Sequence, residues 1–339
     1  MRAPRIAVCV TTRDRAWLLP RLVEALEQQT LPPEEFEVVV TDNGSLDDTW
    51  DVLQALAAES PLQVQVVRNP RGGGPSAGRN AAWRRTTAPR VAFTDDDCVP
   101  APQWLASHVE ALEDADITQG QVEVDREAAD RAGPFGGVVA VDEENGLYET
   151  CNVAYRRSWL EKLDGFDESY RWVGEDADLA WRAKKLGATS AFVPGALVHH
   201  DVKEFSWRTA LRATRQWEGV VELVARHPHL RPLFGRGPTW RQAHPWALLA
   251  SGGVGLALGA VISRRWVLLA PAAVVAGPYV DYRFRRVPII GSRRARIRLL
   301  PVTLGIDMSE LLVICGARAR LWMRNVRTGR RADRAGSSL

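Results

Sequence analysis

Cysteine is scarce in this chain, and what there is does not cluster. Only 4 cysteines occur among 339 residues. Cys9, Cys98, Cys151 and Cys315 lie far apart and follow no zinc-ligand or disulfide spacing. They read as reduced, buried thiols, which fits the cytoplasm. An excess of one charge is also missing: 44 Lys+Arg against 41 Asp+Glu leave a net +3. That is too little to argue for nucleic acid, and no nucleic-acid partner is expected. The N-terminus enters an apolar run at once, Ile6 to Val10, with no secretory core ahead of it, so the catalytic part is expected to stay where it is made. Glycine is absent after that first run, where Thr11-Thr12-Arg13-Asp14 follows. No Walker A sequence occurs anywhere, which argues against a P-loop enzyme. Gly72-Gly73-Gly74-Pro75-Ser76-Ala77 does fit G-x-G-x-x-A. It follows the third strand-like run, though, and Pro75 removes a backbone N–H that a phosphate would use, so a nicotinamide or flavin enzyme is discounted.

What is present is a foldable composition, 46% hydrophobic and 25% charged, and one acidic stretch that organises the rest. Val91-Ala92-Phe93 reads as a buried strand that ends in Asp95-Asp96-Asp97. Three adjacent carboxylates repel unless a positive group sits among them. A hard divalent cation with oxygen ligands, Mg²⁺ or Mn²⁺, is the obvious partner. The plain alternative is a solvated acidic turn.

In chain order, strand-like runs at Ile6–Val10, Phe36–Val40, Leu62–Val67 and Val91–Phe93 alternate with helical patterns after Trp17, Asp48, Ser76 and Trp104. That alternation predicts a doubly wound, mainly parallel, Rossmann-like α/β sheet. Ligands of such sheets bind beyond the carboxyl ends of the strands, where Asp14, Asp42 and Asp95 to Asp97 all fall. Further strands are expected at Ile117–Val124, Thr150–Tyr155 and Phe192–Pro194, with an irregular, mobile loop over Asp125–Asn145. Glu175, Asp176 and Asp178 open a helix behind Trp172 and Gly174. One such acid is ordinary dipole matching; three within four residues exceed what capping needs. His199 and His200 point in different directions on an extended chain, so at most one serves as a ligand, and a surface pair is the alternative.

These motifs, in this order, resemble the family 2 glycosyltransferases of GT-A fold, over Ile6 to about His229. Thr11-Thr12-Arg13-Asp14 resembles the first-strand donor motif. Thr41-Asp42-Asn43-Gly44-Ser45 is similar to D-D-G-S with Asn43 in place of the second Asp. Gly78-Arg79-Asn80 resembles A-R-N-x-G, with Gly78 for Ala and Ala82 for the later Gly. Asp95-Asp96-Asp97 resembles D-x-D, and Gly165-Phe166-Asp167-Glu168 and Gly174-Glu175-Asp176 resemble G-F-D-E and G-E-D. The resemblance implies an inverting, metal-dependent transfer from a nucleotide-diphosphate sugar, UDP- or dTDP-linked. It places Thr11, Arg13, Asp42, Arg79, Asn80, Asp95 and Asp96 at the donor, and Asp95, Asp97 and His199 at the metal. It makes Asp176 the general base, with Glu175 competing, and puts Asn152, Trp172 and Gly174 on the acceptor side. A buried core tryptophan is the other reading of Trp172. Arg215-Gln216-Trp217 echoes the Q-x-x-R-W pattern of processive synthases at the wrong spacing, so single additions are expected. A membrane-bound GT-A scaffold without turnover is the alternative; the intact Asp95-Asp96-Asp97 and Glu175-Asp176 argue against it.

The remaining third differs in character. The catalytic domain is expected over 1–229 and a membrane-associated helical region over 230–339. Ser206 to Arg226 reads as a basic amphipathic helix. Pro245–Ile262 and Trp266–Val280 are apolar around Arg264-Arg265. They predict a transmembrane hairpin over 245–280, or else a re-entrant or interfacial pair. Leu299–Trp322 reads as a further amphipathic or partly inserted helix, followed by an arginine-rich tail that suits an anionic membrane face. Flanking basic residues favour both hairpin ends inside. These features imply a cell-membrane location with the catalytic domain cytoplasmic, and a glycan or lipid-linked acceptor.

Overall fold

The computed structural model describes residues 3–125, 135, 137, 139–202, 206–235, 240–286 and 293–336. The chain divides into two compact units, the first running to Lys203 and the second from Glu204. The break falls earlier than the 229 expected from sequence, because the helices over 207–226 pack with the C-terminal helices.

The first unit is built on one 8-stranded sheet, order β3-β2-β1-β4-β7-β6-β8-β5. Its strands are β1 (Ile6–Thr12), β2 (Phe36–Asp42), β3 (Val64–Arg68), β4 (Arg90–Phe93), β5 (Cys98–Pro100), β6 (Ile117–Val124), β7 (Val153–Arg156) and β8 (Ser190–His200). β3, β2, β1 and β4 are parallel. β7 runs antiparallel to both β4 and β6, and β5 antiparallel to β8. Alternation along β1 sends Ile6, Val8 and Val10 into one core with Leu19, Leu22 and Leu26 of helix α1 (Leu19–Glu27). Cys9 points into the other core, with Phe93, Tyr155, Phe166 and Leu179. That second core fixes the chain around the site: the Phe93 and Phe166 rings meet edge-to-face at 5.0 Å. Helices α2 (Thr49–Glu59), α3 (Gly74–Trp83), α4 (Trp104–Ala111), α5 (Arg157–Leu163) and α6 (Glu175–Lys185) complete the unit. Most of the stretch expected to be a mobile loop, 125–145, lies outside the described residues.

The second unit holds α7 (Trp207–Ala213), α8 (Trp217–Arg226), a 3₁₀ turn (Pro228–Phe234), α9 (Ala243–Ser263), α10 (Leu269–Asp281) and α11 (Arg293–Gly336). α8 and α11 are laced by Arg320–Glu218 and Arg324–Glu222, both 2.9 Å, over the buried Val221, Trp240, Ile314 and Ala317. α9 ends at Arg264, in the left-handed region, and the chain turns back into α10. Asp307 of α11 is fully buried against Tyr279 and Arg283, and Glu310 accepts from Arg241 and His244 at 2.7 and 3.1 Å. The 21 residues of α9 span about 31 Å at helical rise, the thickness of a bilayer core. The 13 residues of α10 are continued without a break by a 3₁₀ turn before them (Trp266–Leu268) and a π-helical turn after them (Tyr282–Arg286). Among the described residues, two helices are long and apolar enough to cross a membrane, α9 and the 296–326 part of α11. The side chains of the basic tail from residue 327 on lie outside the described residues.

Candidate active site

The carboxyl ends of β1, β2 and β4 meet where parallel topology puts a ligand. Asp42, the last residue of β2, is fully buried. Its Oδ1 accepts from the Ser45 amide at 2.9 Å. Its Oδ2 has no hydrogen-bond partner among the described residues and lies 3.6 Å from Arg68 Nε. A buried carboxylate oxygen left open is costly unless a donor arrives from outside. Asn43 explains its own departure from D-D-G-S. Its amide donates to the Gly74 carbonyl at 2.7 Å and accepts from Asn69 at 2.9 Å, clipping the glycine-rich loop to this motif. An aspartate has no N–H for the first of those bonds.

Helix α3 crosses β1 so closely that a Cβ on Gly78 would sit 2.0 Å from Thr11 Oγ1. Hence glycine stands where the resembled motif has alanine. The approach carries Arg79 into the site. Its guanidinium, 8% exposed at the side chain, donates to Glu175 at 2.7 Å and Asp95 at 3.0 Å. Asn80 is turned away: it binds Phe166, Glu168 and Trp83, and so ties the G-F-D-E turn to α3. Thr11 is beside Gly78, and Arg13 is exposed, 3.4 Å from Asp14.

The Asp95-Asp96-Asp97 turn is answered by a residue the sequence reading passed over. Asp14 takes a positive φ of 52°. The chain folds back there, and Arg15 reaches Asp96 at 2.6 Å and Asp97 at 3.1 Å. Thr12 Oγ1 donates to Asp96 at 2.7 Å. Burial still pushes Asp96 up to about 6, against the pull of Arg15. The only signal in the sequence was general: three carboxylates needed a cation, and two arginines, Arg13 and Arg15, stood after β1.

His200, not His199, faces this turn. In the antiparallel register of β5 and β8, Cys98 opposes His200 and Val99 opposes His199, and the Asp201 amide continues the ladder to the Asp97 carbonyl at 2.8 Å. His199 therefore sits on the opposite face. His200 is 2% exposed, and its Nε2 lies 3.5 Å from Asp97 Oδ1. Its Nδ1 is 2.6 Å from the Asp201 carbonyl, so Nδ1 carries the proton and the Nε2 lone pair faces the carboxylate. Asp97, Cys98 and His200 each offer an atom within 4.8 Å of the others. Burial holds the Cys98 thiol well above its ordinary value. A hard cation at neutral pH would therefore use the carboxylate and the imidazole. That donor set fits Mn²⁺ or Mg²⁺.

Helix α6 starts at Gly174, whose φ of 103° forces the tight entry. Its three first-turn acids divide cleanly. Glu175 is held by Arg79, and Asp178 by Arg182 at 2.7 Å. Among the described residues no ion pair is formed by Asp176, which accepts the Ala177 amide at 2.9 Å. Burial, then Glu175 beside it, raises the Asp176 carboxyl well above the usual range, and half-buried Glu149 adds to this. Glu149 is fixed by Gln119 at 2.7 Å and Asn145 at 2.8 Å. No sequence motif marks it; only the fold brings it near. Trp172 is 43% exposed, so it is not a core residue. Asn152, expected on the acceptor side, is fully buried and its amide is spent. It donates to the Gln121 and Ala196 carbonyls, both at 2.7 Å, and accepts from Trp104 at 2.8 Å and His108 at 3.0 Å. It braces the sheet and has nothing left for an acceptor.

The arrangement offers an open acceptor oxygen at one strand end, a carboxylate–imidazole pair at another, and a raised carboxyl opposite. Comparison with known proteins identifies the family. The model described as "Glycosyl transferase family 2" matches residues 7–164, and "Glycosyl transferase family group 2" matches 148–280. Validoxylamine A glucosyltransferase of Streptomyces hygroscopicus subsp. jinggangensis is 37% identical over 307 residues, covering 74% of this chain and 70% of that protein. Other relatives are longer: the chain spans 24% of a hyaluronan synthase of Pasteurella multocida and 48% of a pre-mycofactocin glycosyltransferase of Mycobacterium tuberculosis. Among solved structures, the mannosyltransferase PcManGT of Pyrobaculum calidifontis, in complex with GDP-Man and Mn²⁺, shares the fold at a TM-score of 0.62 and 21% identity, covering 92% of this chain and 88% of that one. S. aureus TarS 1–349 in complex with UDP-GlcNAc does so at 0.53 and 15%, covering 93% and 92%. With these motifs, this fold and a relative of that identity and coverage, the chain belongs to the family 2 glycosyltransferases.

Proposed function

We propose that the chain transfers a sugar, with inversion, from a nucleotide-diphosphate sugar to a hydroxyl of a membrane-associated glycan or lipid acceptor. The observation that carries this is the division of labour among the carboxylates. Among the described residues, Asp42 keeps an open oxygen, the Asp95–Asp97 turn faces Arg15 and His200, and Asp176 alone of its helix turn forms no ion pair with an arginine. Asp42 Oδ2 accepts an N–H of the base, as uracil or thymine offers; a UDP- or dTDP-linked donor follows. Asp97 and His200, with Asp95, would hold a divalent cation, Mn²⁺ or Mg²⁺, which would supply charge neutralisation for the leaving diphosphate. The neighbour that carries Mn²⁺ supports that choice. Arg79 keeps Glu175 and Asp95 in place and adds positive charge on the donor side.

Asp176 takes the proton of the acceptor hydroxyl. The acceptor oxygen forms the bond to the anomeric carbon as the bond to the diphosphate oxygen breaks, and the configuration inverts. A raised carboxyl suits this role, since proton affinity nearer the working pH makes a better base. Trp172 floors a sugar ring of the acceptor, a role its exposure supports. The second unit, with its two candidate spans and arginine-rich surface, supports membrane attachment, with both ends of the hairpin on the cytoplasmic side.

The test is a transfer assay on the detergent-solubilised chain with UDP- and dTDP-sugars and a lipid extract as acceptor, the product anomer being read by NMR. A β-linked product from an α-linked donor, lost in Asp176→Asn, is expected. Retention of configuration contradicts single displacement. Transfer to soluble acceptors, with lipid acceptors inert, contradicts the membrane assignment.

A further inference from the structure

Asp97 presents its two oxygens to two different cationic partners. Its Oδ2 lies 3.1 Å from Arg15 Nη1, and its Oδ1 lies 3.5 Å from His200 Nε2. The Asp97 side chain is 5% exposed, so solvent screens little of what happens on either side of it. A divalent cation held by Asp97 Oδ1 and His200 would stand across one carboxylate from a guanidinium. Like charges that close repel, and each weakens the hold of the other.

Arg15 is held firmly by its backbone and lightly by its head. The Asp14 amide donates to Ser45 Oγ at 3.0 Å, the Arg15 amide to Thr49 Oγ1 at 3.0 Å, and the Leu46 amide to Asp14 Oδ1 at 2.7 Å. These bonds clip the loop after β1 to the loop after β2 and fix the Arg15 backbone. The Arg15 side chain is 37% exposed, and both of its carboxylate contacts leave from Nη1. Arg79, by contrast, is 8% exposed and gives a separate nitrogen to each of its acids. A guanidinium carries several N–H donors in a planar fork, so side-chain rotation alone lets Arg15 leave the turn and meet another anion. Asp96 keeps a partner after that departure, because the Thr12 hydroxyl donates to its Oδ2 while Arg15 uses Oδ1.

We propose that Arg15 is the resident counter-ion of the Asp95–Asp97 turn, opposing entry of a bare divalent cation, and that it turns from Asp97 to the donor's diphosphate when cation and donor arrive together; this rests on the nucleotide-sugar reading of the site. The cation replaces Arg15 at Asp97, and the diphosphate oxygens accept the N–H groups that Asp96 and Asp97 give up. Arg15 thereby binds and orients the leaving group.

The test uses the detergent-solubilised full chain. Mn²⁺ is titrated alone, with the free ion counted by electron paramagnetic resonance, and UDP is then titrated by calorimetry at saturating Mn²⁺. Arg15→Gln removes a like charge beside the cation and should bind Mn²⁺ alone about tenfold tighter or more. The same variant loses charged hydrogen bonds to the diphosphate and should bind UDP about tenfold weaker or more. Arg15→Lys keeps the charge without the fork, so it should fold as the unaltered chain does, keep its Mn²⁺ affinity and weaken UDP. Opposite shifts in one variant are what a merely structural arginine does not produce. Mn²⁺ affinity unchanged or weaker in Arg15→Gln, with UDP still bound by the unaltered chain, overturns the proposal and leaves the nucleotide-sugar reading standing. UDP affinity unchanged in both variants overturns the contact to the diphosphate. Tighter Mn²⁺ in Arg15→Gln, with no UDP bound by the unaltered chain, supports the counter-ion role and counts against the nucleotide-sugar reading instead.

Discussion

Replacing Arg79 with methionine removes a cation that Glu175 and Asp95 share. The pair is not a surface ion pair, for which about 0–1 kcal/mol would be expected. Arg79 and Glu175 are 8% and 6% exposed at their side chains and 2.7 Å apart. Breaking a buried pair by deleting one partner leaves an uncompensated charge and costs roughly 3–5 kcal/mol. At roughly 2–4 °C per kcal/mol for a unit of this size, the melting temperature should fall by roughly 6–20 °C. The pH dependence identifies the cause. Arg79 opposes the burial that already raises Asp176, so its removal leaves the Asp176 carboxyl further above its unfolded value. An acid with a raised folded pKa costs stability above that pKa, and the cost vanishes below the unfolded value of about 4. The gap between Arg79→Met and the unaltered chain should therefore narrow as pH falls from 7 towards 4. Thermal unfolding followed by circular dichroism across that range measures it. A loss under about 1 kcal/mol, or a gap independent of pH, would refute the claim that Arg79 is the buried counter-charge.

Two further outcomes follow from the same geometry. Because Asp176 must be ionised to accept a proton, kcat/KM should fall on the acid side through a pKa well above the ordinary aspartate range. Asp176→Asn should remove about 10²- to 10⁴-fold of the rate and leave nucleotide binding intact; an acid limb near pH 4, or a variant of full activity, would contradict the assignment. His200→Ala should weaken Mn²⁺ binding by about tenfold or more, by analogy with the 10–100-fold that support of a metal ligand commonly contributes. His199→Ala should leave it unchanged, and equal effects in a calorimetric titration would show that the β5–β8 register does not select the ligand.

Much of this was legible in the sequence, for identifiable reasons. The apolar runs of β1, β2 and β4 are fully buried strands, and their carboxyl ends were recognisable because a parallel sheet exposes its site there. Gly174-Glu175-Asp176 was legible as a helix start, since left-handed glycine and first-turn acids obey local rules. What was not legible depends on pairings between distant segments. His200 was preferred over His199 by the antiparallel register of a three-residue strand, which no local pattern announces. Arg15 reached the acidic turn because Asp14 reverses the chain. The resemblance put Asn152 on the acceptor side, and the fold gives its amide four partners from two strands and one helix. Two apolar helices do follow the catalytic unit, and the second stretch long and apolar enough to span lies in α11, where the interleaved arginines and the acids Asp307 and Glu310 hid it as an amphipathic pattern.

The most direct measurement is thermal stabilisation of the purified chain by UDP, GDP and dTDP, each with and without Mn²⁺, alongside Asp97→Ala. A ligand bound only by the folded state at a hundredfold excess over its Kd adds about 2.7 kcal/mol. Metal-dependent stabilisation by UDP or dTDP, abolished in Asp97→Ala, is the predicted result. A folded sample that responds to none of the three nucleotides, or whose response is the same without Asp97, would contradict a metal-assisted nucleotide-sugar site at the ends of β1, β2 and β4.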